Sequence, residues 1–227
     1  MELGKYLDMI NGEYAEKFRI FKRVLIDYNN SFNLTSVTDD KGVLYKHFLD
    51  SIAGESLFKE GAKVLDVGSG GGFPAVPLKI VRDDLDVTML EATGKKCTYL
   101  NAVVDKLGLN CVQVINGRAE TAARTPKMRE KFDAVSARAV ARLNILSEYC
   151  LPFVAVGGTF IAYKGDAAEE ISEAEHAVKI LGGEIEKVIN YELPENSGKR
   201  TLIVIKKVSA TPSKYPRGNG KERKQPL

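Results

Sequence analysis

Two periodicities divide the chain. Tyr14, Phe18, Phe21, Leu25 and Tyr28 recur at alternating steps of four and three, which places them on one face of a helix. An aromatic stripe of this kind reads as the docking face of an N-terminal helical subdomain. Asn29-Asn30-Ser31 breaks that helix, and residues 33–38 follow as a loop. Thr38 or Asp39 is placed to cap a second helix, expected from about Lys41 to Phe58. From Lys63 onward short apolar runs alternate with helical ones. Strands are expected at 63–67, 86–91, 111–115, 132–137, 159–163, 184–193 and 200–206, with helices at 94–107, 143–151 and 166–181 between them. Alternation of this sort predicts an α/β fold with a mostly parallel sheet covered on both faces. Only a turn, Pro194 to Gly198, separates the last two strands, so the sheet is expected to finish in an antiparallel edge. The expected units are a helical cap at 1–60, a sheet domain at 61–208 and a basic tail at 209–227.

The stretch Lys63-Val64-Leu65-Asp66-Val67-Gly68-Ser69-Gly70-Gly71-Gly72-Phe73-Pro74 is a buried strand running into a glycine loop and a helix start. Gly68, Gly70 and Gly72 permit positive φ and remove side chains, so a ligand can lie against the main chain at a helix N-terminus. A dinucleotide fingerprint needs G-x-G-x-x-G, but the sixth position here is Phe73 and the spacing is G-x-G-x-G. That spacing resembles motif I of S-adenosylmethionine (SAM) methyltransferases. Glycines also serve plain turns. What favours a ligand loop is its setting between strand and helix, with the acid Glu91 ending the next apolar run. Glu91 can accept from both hydroxyls of a ribose.

Ligands of open α/β sheets sit beyond the carboxyl ends of the strands. The glycine loop, Glu91, Ala119-Glu120, Arg138 and Lys164 all fall at such ends. Glu120 is placed to accept from the exocyclic amine of adenine, with Phe73 or the backbone near Ala119 against the ring. His47 and Asp50 share a helix face leading into the glycine loop. They read as structural residues or as a wall of the cleft, since nothing nearby completes an acid-base or metal constellation. His176 lies on a polar helix and carries no assigned role.

Composition sharpens this picture at two points. Cys97, Cys111 and Cys150 form no C-x-x-C pair and sit in apolar contexts, so all three are expected as reduced core residues, with no metal. The net charge of +3 conceals an asymmetry: nine basic residues between Lys199 and Lys224 face one acid, Glu222. Lys199, Arg200, Lys214, Arg217, Arg223 and Lys224 are candidate contacts to a polyanion, the alternative being a solvated, disordered tail. No stretch has the length of a membrane span and no leader is evident at the start, so a cytoplasmic protein is expected.

With these residues assembled, the chain resembles the RsmG (GidB) family of bacterial 16S ribosomal RNA guanine-N7 methyltransferases. The resemblance rests on Asn33-Leu34-Thr35, His47-x-x-Asp50-Ser51, the 64–74 stretch, Arg118-Ala119-Glu120, Phe132-Asp133 through Ser136-x-Arg138-Ala139, Gly157-Gly158 through Lys164-Gly165, and Lys214-Tyr215-Pro216-Arg217. It implies a Rossmann-like SAM methyltransferase fold of seven strands. It implies SAM as cofactor, S-adenosylhomocysteine as product, and a monomer acting on 16S ribosomal RNA or the small ribosomal subunit. Gly68, Gly70, Phe73, Glu91, Ala119, Glu120 and Arg138 would hold the cofactor, with Arg138, Lys164 and His47 positioning the substrate guanine. The family usually has glycine where this chain has Ala75. Other readings are a SAM enzyme acting on a small molecule or protein, and a non-catalytic RNA-binding module on the same fold.

Overall fold

A computed structural model describes residues 2–227. Helices α1 (Gly4–Asn11) and α2 (Ala15–Phe32) precede a helical run made of α3 (Asp40–Gly42), a π-helix (Val43–Leu49) and α4 (Asp50–Ile52). Then β1 (Lys63–Val67), α5 (Ala75–Val81), β2 (Asp86–Glu91), α6 (Gly94–Leu107), β3 (Val112–Asn116), α7 (Ala119–Ala122) and β4 (Phe132–Arg138) alternate. They continue through α8 (Leu143–Cys150), β5 (Val154–Lys164), α9 (Ala168–Ile180), β6 (Gly183–Leu193), β7 (Gly198–Lys207) and α10 (Lys221–Lys224). The seven strands form one sheet in the order β3-β2-β1-β4-β5-β7-β6. β1 to β5 are mutually parallel, and β7 runs antiparallel to both β5 and β6. The hairpin expected at the end of the chain is present, with β7 inserted inside it and β6 outermost. Because β7 runs backwards, its first residues, Lys199 and Arg200, lie at the same sheet end as the carboxyl ends of the parallel strands.

Two apolar cores sandwich the sheet. One packs α1, α2, the helical run, α5 and α6 against one face; the other packs α8, α9 and the C-terminal segment against the opposite face. Phe18, Phe21 and Leu25 are buried as the stripe requires. The boundary expected at residue 60 is not a boundary in the packing. Phe21 of α2 lies 5.5 Å from the ring of Phe48 and 5.3 Å from that of Phe73 in the glycine loop, so cap and sheet domain share a core.

The helix expected to reach Phe58 stops at Ile52. The Tyr163 hydroxyl on β5 donates to the Ser51 carbonyl at 3.1 Å, which supplies a partner for a helix-terminal acceptor. The same hydroxyl lies 2.5 Å from where a Cβ on Gly54 would stand, so the chain turns here. Asp39 is the N-cap, its Oδ1 accepting from the Gly42 amide at 2.8 Å.

Of the three cysteines, Cys97 and Cys150 are buried as expected. Cys111 is exposed, because at φ +52° it forms the bend entering β3 rather than part of the strand. The tail is not a separate unit. Arg129 donates to the carbonyls of Tyr215 at 2.9 Å and Thr211 at 2.7 Å, and Tyr215 belongs to the second core. Among the described residues no helix is long and apolar enough to cross a membrane.

Phe21→Ala is expected to cost about 3 to 5 kcal/mol of unfolding free energy in urea, in line with aromatic truncation in a core. Because Phe21 touches both Phe48 and Phe73, hydrogen exchange should accelerate together in α2 and in the 68–73 loop.

Candidate cofactor and substrate site

Gly68, Gly70 and Gly72 have φ of +73°, +52° and +87°, the region that L side chains rarely enter. A Cβ on Gly70 would meet nothing closer than the Gly68 carbonyl oxygen at 3.7 Å, so a side chain there would enter the space in front of the loop. Glu91 braces the loop from the next strand: its Oε2 accepts from the Gly70 amide at 3.0 Å and its Oε1 from the Thr93 amide at 2.8 Å. Each oxygen keeps a lone pair for a further donor such as a ribose hydroxyl. Ala75, the departure from the family pattern, is buried at the start of α5 and leaves the loop open.

Three cavities adjoin at this end of the sheet. The smallest, about 150 Å³, is lined by Leu90, Ala119, Glu120, Val140, Tyr149 and Arg223 together with Gly68. The second, about 380 Å³, lies in front of the loop and is lined by Thr35, His47, Gly68, Gly70, Phe73 and Arg138 among others. A third, about 350 Å³, is lined by His47, Asp50, Arg138, Tyr163, Lys164 and Arg200 among others. Gly68 belongs to the first and second, and His47 and Arg138 to the second and third. The three therefore lie side by side along the carboxyl ends of the strands.

The second and third share a polar cluster around Arg138. The guanidinium donates to Asp50 Oδ2 at 3.0 Å and to the Lys46 carbonyl at 2.9 Å, lies 3.2 Å from His47 Nδ1, and sits over the Phe73 ring at 4.8 Å. His47 stacks on the same ring, with centroids 4.4 Å apart. Nδ1 lies 3.2 Å both from the Arg138 guanidinium, which can only donate, and from the Lys46 carbonyl, which can only accept, while Nε2 lies 2.7 Å from Thr35 Oγ1. Burial, reinforced by the Arg138 charge, lowers the His47 pKa to about 4 and keeps the ring neutral near pH 7. Asp50, itself buried, also accepts from the Tyr191 hydroxyl at 2.7 Å and lies 3.5 Å from Arg200. The π-turns bring Lys46, His47 and Asp50 together toward β4, a frequent use of such windings.

Asp66 lies beneath the loop with no exposed surface. Ser136 Oγ donates to its Oδ1 at 2.8 Å and its Oδ2 has no partner. Burial pushes its pKa up to about 7.

The residues expected at the site are thus sorted. Gly68, Gly70, Phe73, His47 and Arg138 converge on the loop cavity, and Ala119 and Glu120 on the smaller one. Phe73 lines the loop cavity, whereas Ala119 and Glu120 line the smaller one with Leu90 and Val140. Lys164 lines the third cavity, and its Nζ donates to the Ala141 carbonyl at 2.8 Å and pairs with Glu170 at 2.7 Å, which ties it to a loop. The Arg217 guanidinium is held by buried Glu148 at 2.7 Å. Lys199 and Lys224 are exposed, as is Lys214, which lies over the Tyr215 ring. Thr35, Tyr149, Tyr191 and Asp66 were not singled out. Thr35 was visible as part of a motif, whereas nothing local marks Tyr149 or Tyr191, which reach the cleft only through packing.

A glycine loop at the carboxyl end of β1, an acid closing β2 and a cleft across the switch between β1 and β4 define a Rossmann-like methyltransferase site. Solved structures agree on the fold. A SAM-dependent methyltransferase of Aquifex aeolicus superimposes with TM-score 0.56 at 20% identity, covering 76% of this chain and 96% of that one. The O-methyltransferase of Bacillus cereus in complex with SAH gives 0.57 at 17%, covering 82% and 90%. Sequence relatives are more specific. The ribosomal RNA small subunit methyltransferase G of Lactobacillus acidophilus is 43% identical over 233 residues, covering 100% of this chain and 97% of that protein. Its counterpart in Clostridium novyi is 44% identical over 220 residues, covering 96% and 90%. The family model described as rRNA small subunit methyltransferase G matches residues 14–201. The chain belongs to this family, GidB.

The two shifted groups act on stability with opposite sign. His47 is harder to protonate folded than unfolded, so its contribution falls as pH drops from 6.5 toward 4. Asp66 is easier to protonate folded, so its contribution falls as pH rises from 3.8 toward 7. Each pKa unit is worth about 1.4 kcal/mol. Urea unfolding at pH 4.5 and 7 should show His47→Gln losing the rising slope and Asp66→Asn losing the falling one.

Proposed function

We propose that the protein methylates N7 of a guanine in 16S ribosomal RNA, using SAM held along the loop and the smaller cavity. The observation that carries this reading is the adjacency of two cavities: the one in front of the glycine loop shares His47 and Arg138 with one lined by cationic side chains and a carboxylate. Names of the relatives support ribosomal RNA as the substrate class.

The residues present fit the cofactor. Gly70 leaves its approach open, Glu91 has acceptor capacity for the ribose, and Glu120 beside an apolar slot suits the adenine amine. Bound there, SAM supplies an electrophilic methyl group on a sulfonium. Guanine N7 carries a lone pair and no proton, so no general base is required and the residues of the cleft need only align the base. That agrees with a neutral His47 whose ring nitrogens are both engaged. Arg138 uses three of its five N–H groups internally, which leaves others for the O6/N7 edge of guanine. Asp50 lies between Arg138 and Arg200, and its negative charge offsets the positive charge that the purine acquires. Arg200 in that cavity, and exposed Lys199, Lys214 and Lys224, would contact phosphates.

Mass-spectrometric mapping of 16S RNA incubated with the protein and SAM, as naked RNA and as small-subunit particles, should show 7-methylguanosine at one position. Label appearing instead in protein or small-molecule fractions would overturn the RNA assignment, and RNA binding without transfer would leave a binding module. Glu91→Ala and Glu120→Ala should each weaken SAM binding by about 1 to 3 kcal/mol in calorimetry, because buried ligand donors lose their acceptor, and Gly70→Val should abolish it. Arg138→Lys should lower the single-turnover rate while the pH profile stays flat between about 6 and 9.

A further inference from the structure

The smaller cavity has a wall that comes from the far end of the chain. All of its lining lies between Val67 and Tyr149 except Arg223, in α10. Arg223 arrives there because the segment that carries it is clamped to the same elements that build the rest of the cavity. Glu148, almost fully buried, accepts from the Arg217 amide at 2.8 Å and pairs with its guanidinium; the next residue, Tyr149, lines the cavity. Arg129, in the stretch after α7, holds the carbonyls of Thr211 and Tyr215, and Arg124 holds that of Pro216. Within the segment, Glu222 is fully buried and one of its oxygens accepts from the Gly218 amide, which closes the turn leading into α10. Leu227 packs against the second core beyond it. Tyr149 and Arg223 line the cavity together, and burial raises the Tyr149 pKa while the neighbouring Arg223 opposes that rise.

From this geometry we infer that residues 211–227 are a built-in closure of the adenine end of the cofactor site, with Arg223 a cofactor-contacting residue. The inference rests on the reading of that cavity as the adenine subsite. A planar guanidinium at the rim of a slot lined by Leu90, Ala119 and Val140 suits the face of a purine, where cation–π attraction adds to the shielding from water. Docking of the segment and binding of the cofactor are then linked. A segment that must be in place to complete the site is held more firmly when the site is filled, and the two effects are reciprocal. This also gives one arginine of the basic tail a partner other than RNA phosphate.

Calorimetry with S-adenosylhomocysteine tests the inference on the full chain. Arg223→Ala is expected to weaken binding about 5- to 20-fold, Arg223→Lys to recover part of the loss, and exposed Gln225→Ala to bind as the unaltered protein does. A chain ending at Gly220 keeps the Thr211, Tyr215 and Arg217 anchors and should lose at least as much affinity as Arg223→Ala. Thermal unfolding of each free variant should stay within a few degrees of the parent; should the shortened chain misfold, the Arg223 pair decides alone. Hydrogen exchange over residues 214–227 should slow on ligand binding. If Arg223→Ala binds like the parent while Gly70→Val does not bind, the closure is wrong and the cofactor reading stands. If the parent itself does not bind S-adenosylhomocysteine, the cofactor reading falls and the closure with it.

Discussion

The pairing of Arg138 with Asp50 holds the functional end of this molecule together. Arg138 ends β4 and Asp50 starts α4, and between them they recruit His47, the Lys46 carbonyl, Tyr191 of β6 and Arg200 of β7. With side chains 12% and 5% exposed, the pair is shielded enough that removing one partner would strand the other's charge in a poorly solvated place. That constraint explains why neither residue is free to vary its position. It also explains why His47 is neutral: a ring packed on Phe73 beside a permanent cation is doubly discouraged from taking up a proton. The cluster joins four segments distant in sequence, so the shape of the cavity they line follows from it.

Aromatic packing carries the same constraint into the body of the protein. Phe73 receives Arg138 and His47 on its ring and also touches Phe21, which stacks on Phe48. The glycine loop is therefore positioned from two sides, by Glu91 through hydrogen bonds and by the N-terminal helices through apolar contact. The loop's own residues, rich in glycine, would resist ordering on entropic grounds. Helices that seem an appendage in the chain therefore support the glycine loop directly.

The basic C-terminal region illustrates how composition and structure diverge. Its charges read as one polyanion-binding tail, yet the fold divides them. Lys207 is fully buried and donates to the Leu151 carbonyl, and burial lowers its pKa to about 8. Arg217 neutralises buried Glu148, and Arg223 faces the smaller cavity. Lys199 and Arg200 stand at the same end of the sheet as the glycine loop because β7 is reversed, and Arg200 lines the cavity shared with His47 and Arg138. Of the rest, Lys214, Lys221 and Lys224 are exposed.

The sequence by itself determined the order of strands and helices, the glycine loop and the acids and arginine that end the strands, because these depend on local periodicity, on backbone freedom at glycine and on position relative to a strand end. Residues such as Gly68, Glu91, Glu120 and Arg138 could be placed at the carboxyl ends of the strands from that alone. Tertiary structure decided which strand-end residues are free and which are already paired: Lys164 meets Glu170 and Ala141 only after α8 and α9 pack, and Arg217 meets Glu148 only after the chain folds back across the second core. It also decided the end of the helix at Ile52, which depends on a tyrosine 111 residues away in the sequence. The exposure of Cys111 and the arrival of Arg223 have the same origin. Partners chosen by burial and chain reversal leave no periodic or spacing signal, since any polar residue is equally legible before packing assigns its neighbours.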